Sequence, residues 1–246
     1  MCTLTIAWQV FADTPIAVAA NRDELLDRPS RPPEVIAEEP RIVAPTDAEA
    51  GGTWIGYNEH GVFVAITNRW VDADLAGDRS RGLLVRDALE RESAEAAARH
   101  VERSVADHEY EGFNLVVADA AAALYFEWDG SLRVENFEPG VHVVVNVGAD
   151  GSFVVPPHRP EAGETQATNA RQVATALRPE PGERAGEWIE RAREVISDHD
   201  YGVCVHRDRF GTRSSSLITI GPEGATYRFA DGPPCRTAYQ SVETHL

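Results

Sequence analysis

Residues 2–10 set Cys2, Leu4, Ile6, Trp8 and Val10 against Thr3, Thr5, Ala7 and Gln9. A period of two is the mark of a strand with one buried face. FADTP turns the chain and residues 16–22 run back, so the sequence opens with a hairpin. After RPSRPPEV, read as a Pro-rich connection, TWIGY and VFVAITN flank the polar turn NEHG as a second hairpin. Gly82–Val105, rich in Ala, Glu, Arg and Leu, reads as a helix or a broken pair of helices. Four strands follow in FNLVVAD, AALYFEWD, LRVENF and VHVVVNV. A second helical block spans GETQATNARQVATAL and GERAGEWIERAREVISDH, and YGVCVHR, TRSSSLITI and ATYRFAD return to strand. Strands that extend by hairpins, with helices gathered in two blocks, point to an α+β protein of largely antiparallel sheet.

At 246 residues the chain is expected to form one domain, residues 1–246, large enough to bury most of its apolar surface. No apolar run approaches the roughly 20 residues of a membrane helix, so no membrane span is expected. No signal-like segment precedes the first strand, and a cytoplasmic location is the expectation. With 40 acidic and 23 basic residues the net charge is -17, which disfavours nucleic acid as a partner. Every basic side chain is an arginine. Such an acidic, lysine-free surface suits a cytoplasm of high salt, where self-repulsion is screened within about 3 Å at 1 M. The drift of a GC-rich genome produces the same bias.

The cluster most informative about chemistry joins Cys2 to Asn21, Arg22, Asp23 and Glu24, which end the returning strand. With the hairpin turn centred near Asp13, residues whose numbers sum to about 26 lie opposite one another. Cys2 then faces the neighbourhood of Arg22, Asp23 and Glu24. Methionine is usually removed before a side chain as small as cysteine. Removal leaves Cys2 with a free α-amine, whose pKa near 7.7 to 8.0 lets it act as base for its own thiol, while a nearby arginine favours thiolate. This is the N-terminal-nucleophile arrangement. Cys2 read alone is more often a core-filling residue at a strand start, and the charged cluster is what favours the nucleophile.

MCTL, AANRDE, AGGTWIGYNEHGVFVAITN, GFNLVVAD and FGTRSSSLITI occur in this order. Together they resemble the NRDE family, also called the transport and Golgi organisation protein 2 family. That family is similar in turn to the cysteine N-terminal-nucleophile (Ntn) hydrolases, which include bile-salt hydrolase, penicillin V acylase and acid ceramidase. The resemblance implies a four-layer αββα sandwich of two mainly antiparallel sheets, with the nucleophile on the first strand. It implies catalytic roles for Cys2, Arg22 and Asp23, and an oxyanion hole from Asn68 and Asn146. Asn21, Glu24 and Trp54 join them as substrate-contacting residues, and either Arg171 or Arg213 completes the site. Asn68 and Asn146 also read as ordinary strand-terminating and turn-opening residues, and Trp54 as a core aromatic beside the Gly51–Gly52 turn.

Two functions follow from this reading. One is a cysteine amidohydrolase that cleaves a non-peptide acyl-amide. The other is a non-catalytic carrier of an apolar, lipid- or haem-type ligand, as eukaryotic members' association with secretion and with lipid or haem homeostasis implies. No cofactor is expected: the chain lacks a CxxCH haem attachment. No metal site is expected either, because Cys204 and His206 alternate on an expected strand beside His199 with no fourth ligand nearby in the sequence.

Overall fold

A computed structural model describes residues 2–243. The described chain divides into two units, residues 2–28 with 139–243 and residues 29–138, each built on one antiparallel sheet. β1 (Thr3–Phe11) and β2 (Thr14–Leu25) open the first unit as the expected hairpin. The second unit follows with β3 (Ser30–Glu38), β4 (Arg41–Asp47), β5 (Ile55–Asn58) and β6 (Phe63–Asn68). α1 (Arg81–Leu89), α2 (Ala94–Asp107), β7 (Phe113–Ala118), β8 (Ala123–Trp128) and β9 (Leu132–Asn136) complete it. The chain re-enters the first unit with β10 (Gly140–Val145), β11 (Gly148–Ala149) and β12 (Ser152–Phe153). α3 (Pro160–Ala176), α4 (Ala185–Ser197), β13 (Phe210–Gly221), β14 (Gly224–Ala230) and β15 (Gln240–Ser241) end it.

The first unit's sheet runs β12-β11-β10-β1-β2-β13-β14-β15, so β1 and β2 sit at its centre. α4 buries Trp188, Ile189, Ala192, Val195 and Ile196, a spacing of three and four that makes one apolar face. Trp188 is fully buried, its ring 6.1 Å from that of Phe11 and its Nε1 donating to the Leu177 carbonyl at 2.9 Å.

The second unit's sheet runs β3-β4-β5-β6-β7-β8-β9. Phe113, Leu115 and Val117 alternate onto one face, where they pack with Val85 and Leu89 of α1 and Val101 of α2. Ser80 and Ser93 accept from the backbone amides of Gly82 and Ala96, capping these two helices, and Ser93 stands at the break that divides the helical stretch in two. Asn114, Tyr125 and Glu127 alternate onto the other face, and Arg69 donates to both Asn114 Oδ1 (2.8 Å) and Glu127 Oε1 (2.9 Å).

Two elements differ from the sequence expectation. The RPSRPPEV stretch is not a connection but part of β3, the first strand of the sheet's order, whose ladder to β4 shifts register between Arg31 and Glu34. An edge strand and a bulge are where a sheet accommodates proline, so Pro32 and Pro33 do not exclude pairing. YGVCVHR is not a strand. His199–Tyr201 form a 3-10 turn, Gly202 is left-handed (φ 66°), and only an isolated bridge joins His206 to Gly211. Side chains occupy the backbone groups a ladder would use: Asn21 Nδ2 donates to the Val203 carbonyl and the Val205 amide donates to Thr212 Oγ1.

Gly51 turns the chain with φ 71°, and a Cβ on Gly52 would stand 2.2 Å from the carbonyl carbon of Gly82. The Thr53 amide bonds the Gly82 carbonyl at 3.0 Å, so backbone rather than a movable side chain blocks the position. Gly52→Ala is therefore expected to destabilise the protein by about 3 kcal/mol or more, read as a shifted urea midpoint at unchanged slope. A midpoint within error of wild type would contradict this packing.

Candidate functional site

Thr3 pairs with Asn21 on β2 and with Val145 on β10. One step beyond these pairs, Cys2 is level with Arg22 on one side and Asn146 on the other. The expected sum of 26 is thus replaced by 24, a consequence of two features of the hairpin. Its turn lies between Phe11 and Thr14, and β1 carries a register shift between Trp8 and Phe11, where Gln9 has φ 50°. A β-bulge adds one residue to one strand and moves all later pairings.

The Cys2 backbone nitrogen donates to Asn146 Oδ1 at 3.0 Å, and its Sγ lies 3.7 Å from the Asp23 carbonyl oxygen. Asn146 stands just past the end of β10, and its Oδ1 also accepts from Gln166 Nε2 of α3 at 2.8 Å. Two donors on Oδ1 leave Nδ2 as the donating end of this amide. Part of Cys2 remains accessible, yet burial of its thiol pushes the pKa upward, Asp23 adds to that shift, and Arg22 opposes it. A thiol held in this way needs a base to react.

Arg22 is buried, with its Nη2 3.6 Å from Glu24 Oε2. Glu24 Oε1 also accepts from the Leu25 amide. Asp23 is buried, and Thr212 Oγ1 donates to its Oδ1 at 2.6 Å. Burial raises the Asp23 carboxyl to about 6, against the opposing pull of the Thr212 hydrogen bond. Asn21 is a structural pin: Nδ2 donates to the Ile196 and Val203 carbonyls at 2.8 and 2.9 Å, and Ser215 Oγ donates to Oδ1 at 2.7 Å.

Cys2, Asn21, Arg22, Asp23, Glu24 and Asn146 are thus gathered at the ends of β1, β2 and β10. Arg213 is the extra residue of a register shift in β13, between Thr212 opposite Asp23 and Ser214 opposite Arg22, and it pairs with Asp231 at 2.6 Å. Arg171 is exposed on α3 with its guanidinium 5.1 Å from the centre of the Phe153 ring. Asn68 and Trp54 belong to the second unit. There Asn68 ends β6 opposite Phe113, and the Trp54 carbonyl accepts from the Ile66 amide.

Thr212, Ser214 and Gln166 were not singled out by the sequence. Thr212 and Ser214 flank Arg213 in the quoted FGTRSSS motif, so the signal was present. Ser214 Oγ is buried without a hydrogen-bond partner among the described residues, on the sheet face that the ladder gives to Arg22. Gln166 lies in a stretch with no family motif, and only tertiary packing brings it to Asn146.

The fold defined by these two sheets and four helices is that of the Ntn hydrolases. The chain superposes on penicillin V acylase from Agrobacterium tumefaciens with a TM-score of 0.60 at 15% identity, covering 94% of this chain and 83% of that one. It superposes on the N-acylethanolamine-hydrolyzing acid amidase ortholog of Caenorhabditis elegans with a TM-score of 0.61 at 16% identity, covering 88% and 92%. The sequence matches the family Transport and Golgi organisation 2 over residues 1–231, and the chain belongs to that family. The Transport and Golgi organization protein 2 homologs of Bos taurus and Homo sapiens are 27% and 26% identical, with 85% of this chain and 83% of each relative covered. Among the described residues, no helix is long and apolar enough to cross a membrane.

Proposed function

We propose that this protein is an N-terminal-nucleophile cysteine amidohydrolase that cleaves a non-peptide acyl-amide. The observation that carries the reading is the hydrogen bond from the Cys2 nitrogen to Asn146 Oδ1, which holds the nucleophile's own nitrogen against the expected oxyanion residue. Met1 lies outside the described residues. Once it is removed, that nitrogen is the α-amine. The amine takes the thiol proton as Sγ attacks the carbonyl carbon, and a C–S bond forms. Asn146 Nδ2 stabilises the oxyanion, the ammonium returns the proton to the leaving nitrogen, and the C–N bond breaks. Water then attacks the thioester, releasing the acid and restoring the thiol. Arg22 favours thiolate, and Asp23, with its carboxyl near 6, receives the protonated amine. Ser214 Oγ offers the substrate a hydrogen bond, since a buried hydroxyl without a partner has one to make. For Asn68 and Trp54, which lie in the second unit, the family resemblance alone supports the expected roles of oxyanion donor and apolar contact. Arg213, in the same strand segment as Thr212 and Ser214, fits the remaining arginine role better than Arg171.

A panel of N-acyl amides, assayed at low and high salt with Cys2→Ser as blank, tests the reading. Arg22→Gln, Asn68→Ala and Asn146→Ala should each lower turnover at least tenfold, about 1.4 kcal/mol of transition-state stabilisation. If wild type is as inert as Cys2→Ser on every amide while both bind an apolar ligand, the chain is a carrier.

A further inference from the structure

We propose that His199, Cys204, His206 and Cys235 form a zinc site on the first unit, separate from the Cys2 cluster. One ligand atom from each of the four lies within 4.8 Å of all the others. His206 Nε2 is 3.2 Å from Cys235 Sγ and 3.6 Å from Cys204 Sγ, and the rings of His199 and His206 meet edge to face at 5.1 Å. Zinc–sulfur bonds of about 2.3 Å and zinc–nitrogen bonds of about 2.0–2.1 Å, set tetrahedrally, separate the ligands by about 3.3 to 3.8 Å. The 3.6 Å edge falls within this spacing and the 3.2 Å edge lies just short of it, and two thiols with two imidazoles are a donor set zinc takes.

No sequence pattern points to the fourth ligand, because Cys235 is 29 residues beyond His206 and belongs to the turn after β14. The other three come from a segment that is not the expected strand. The 3-10 turn carries His199, and left-handed Gly202 redirects the chain so that Cys204 and His206 face His199 rather than alternate along a ladder. Gly202 is held there by Asn169, whose Nδ2 donates to its carbonyl at 3.1 Å. The Pro233 carbonyl accepts from the Arg236 and Thr237 amides, fixing the turn that presents Cys235. Both segments are thus set by contacts outside the cluster, as a preformed metal site requires.

The ion would tie the segment after α4 to the turn after β14. That segment is also the one that receives Asn21 at Val203 and Thr212 at Val205, and Thr212 in turn holds Asp23. The metal would therefore act as a structural clip behind the Asn21–Asp23 wall, with no part in bond cleavage.

The test is metal content of the full chain purified in reductant without chelator, by elemental mass spectrometry. About one zinc per chain is expected in wild type and in Cys2→Ser, and less than a tenth of that in Cys235→Ser and in Cys204→Ser/His206→Ala. Cys235 is an exposed turn residue, so its substitution leaves the core intact. As a second measurement, wild type stripped of metal and titrated with Co2+ should develop tetrahedral d–d bands and a thiolate charge-transfer band, which Cys235→Ser should lack. Wild type without zinc and without these bands would overturn the proposal. So would undiminished metal in the variants, or a Cys204–Cys235 disulfide that persists in protein purified in reductant.

Discussion

Cys2→Ser should lower turnover of an N-acyl amide by about a thousandfold or more, while the melting temperature moves by no more than a degree or two. The two readouts separate because the thiol is nearly dispensable to the fold. Its one hydrogen-bond contact with a described residue is the 3.7 Å approach to the Asp23 carbonyl, which a hydroxyl tolerates. The hydrogen bond to Asn146 comes from the backbone nitrogen and is unaffected. In a protein that merely holds a ligand, the same substitution would leave affinity nearly unchanged. Loss of turnover with retained stability therefore assigns Cys2 to chemistry, and equal turnover in the two proteins would remove it.

Asp23→Asn should move stability and activity in opposite directions. Burial raises the Asp23 carboxyl from 3.8 to about 6, so between those values the folded protein holds a proton that the unfolded chain releases. Stability of the wild type therefore falls as pH rises through this window and stays lower above it. A window roughly two pH units wide corresponds to about 3 kcal/mol. An asparagine keeps the acceptor for Thr212 Oγ1 and carries no charge to desolvate. The variant should match wild type near pH 3.5 and exceed it by about 2–3 kcal/mol at pH 7 in urea unfolding. Its turnover at pH 7 should fall at least tenfold, the stability–activity exchange expected where a buried charge serves function. A variant less stable than wild type at pH 7 would show that the Asp23 charge is compensated rather than strained.

Alternation and turn chemistry made much of the fold legible. The opening hairpin, the β6 and β7 strands and both helical blocks stand where the residue pattern puts them. The misreadings have local causes. Two consecutive prolines hid β3, because a proline count does not distinguish an edge strand from a loop. The short alternation in YGVCVHR looked like a strand, but the Val203 carbonyl and the Val205 amide bond the side chains of Asn21 and Thr212 instead of a ladder, and no sequence pattern announces those bonds. Register failed by two because the turn lies between Phe11 and Thr14, half a residue earlier than centred on Asp13, and because Gln9, an ordinary residue in a strand pattern, adopts a positive φ within a bulge. Even so, Cys2 lies beside the charged cluster: the hairpin ties the strand ends together, and a shift of two keeps each side chain on its face. Cys235 and Gln166 were out of reach, since each acquires its partner only through tertiary packing.

The most direct test of the nucleophile assignment is tandem mass spectrometry of the N-terminal peptide, from protein acid-quenched during turnover of an N-acyl amide. The expected result is a peptide that begins at Cys2 and, in a fraction of molecules, carries the acyl group as a hydroxylamine-sensitive thioester. A peptide that retains Met1, or a free Cys2 that never acquires the acyl mass while amide is consumed, would contradict it.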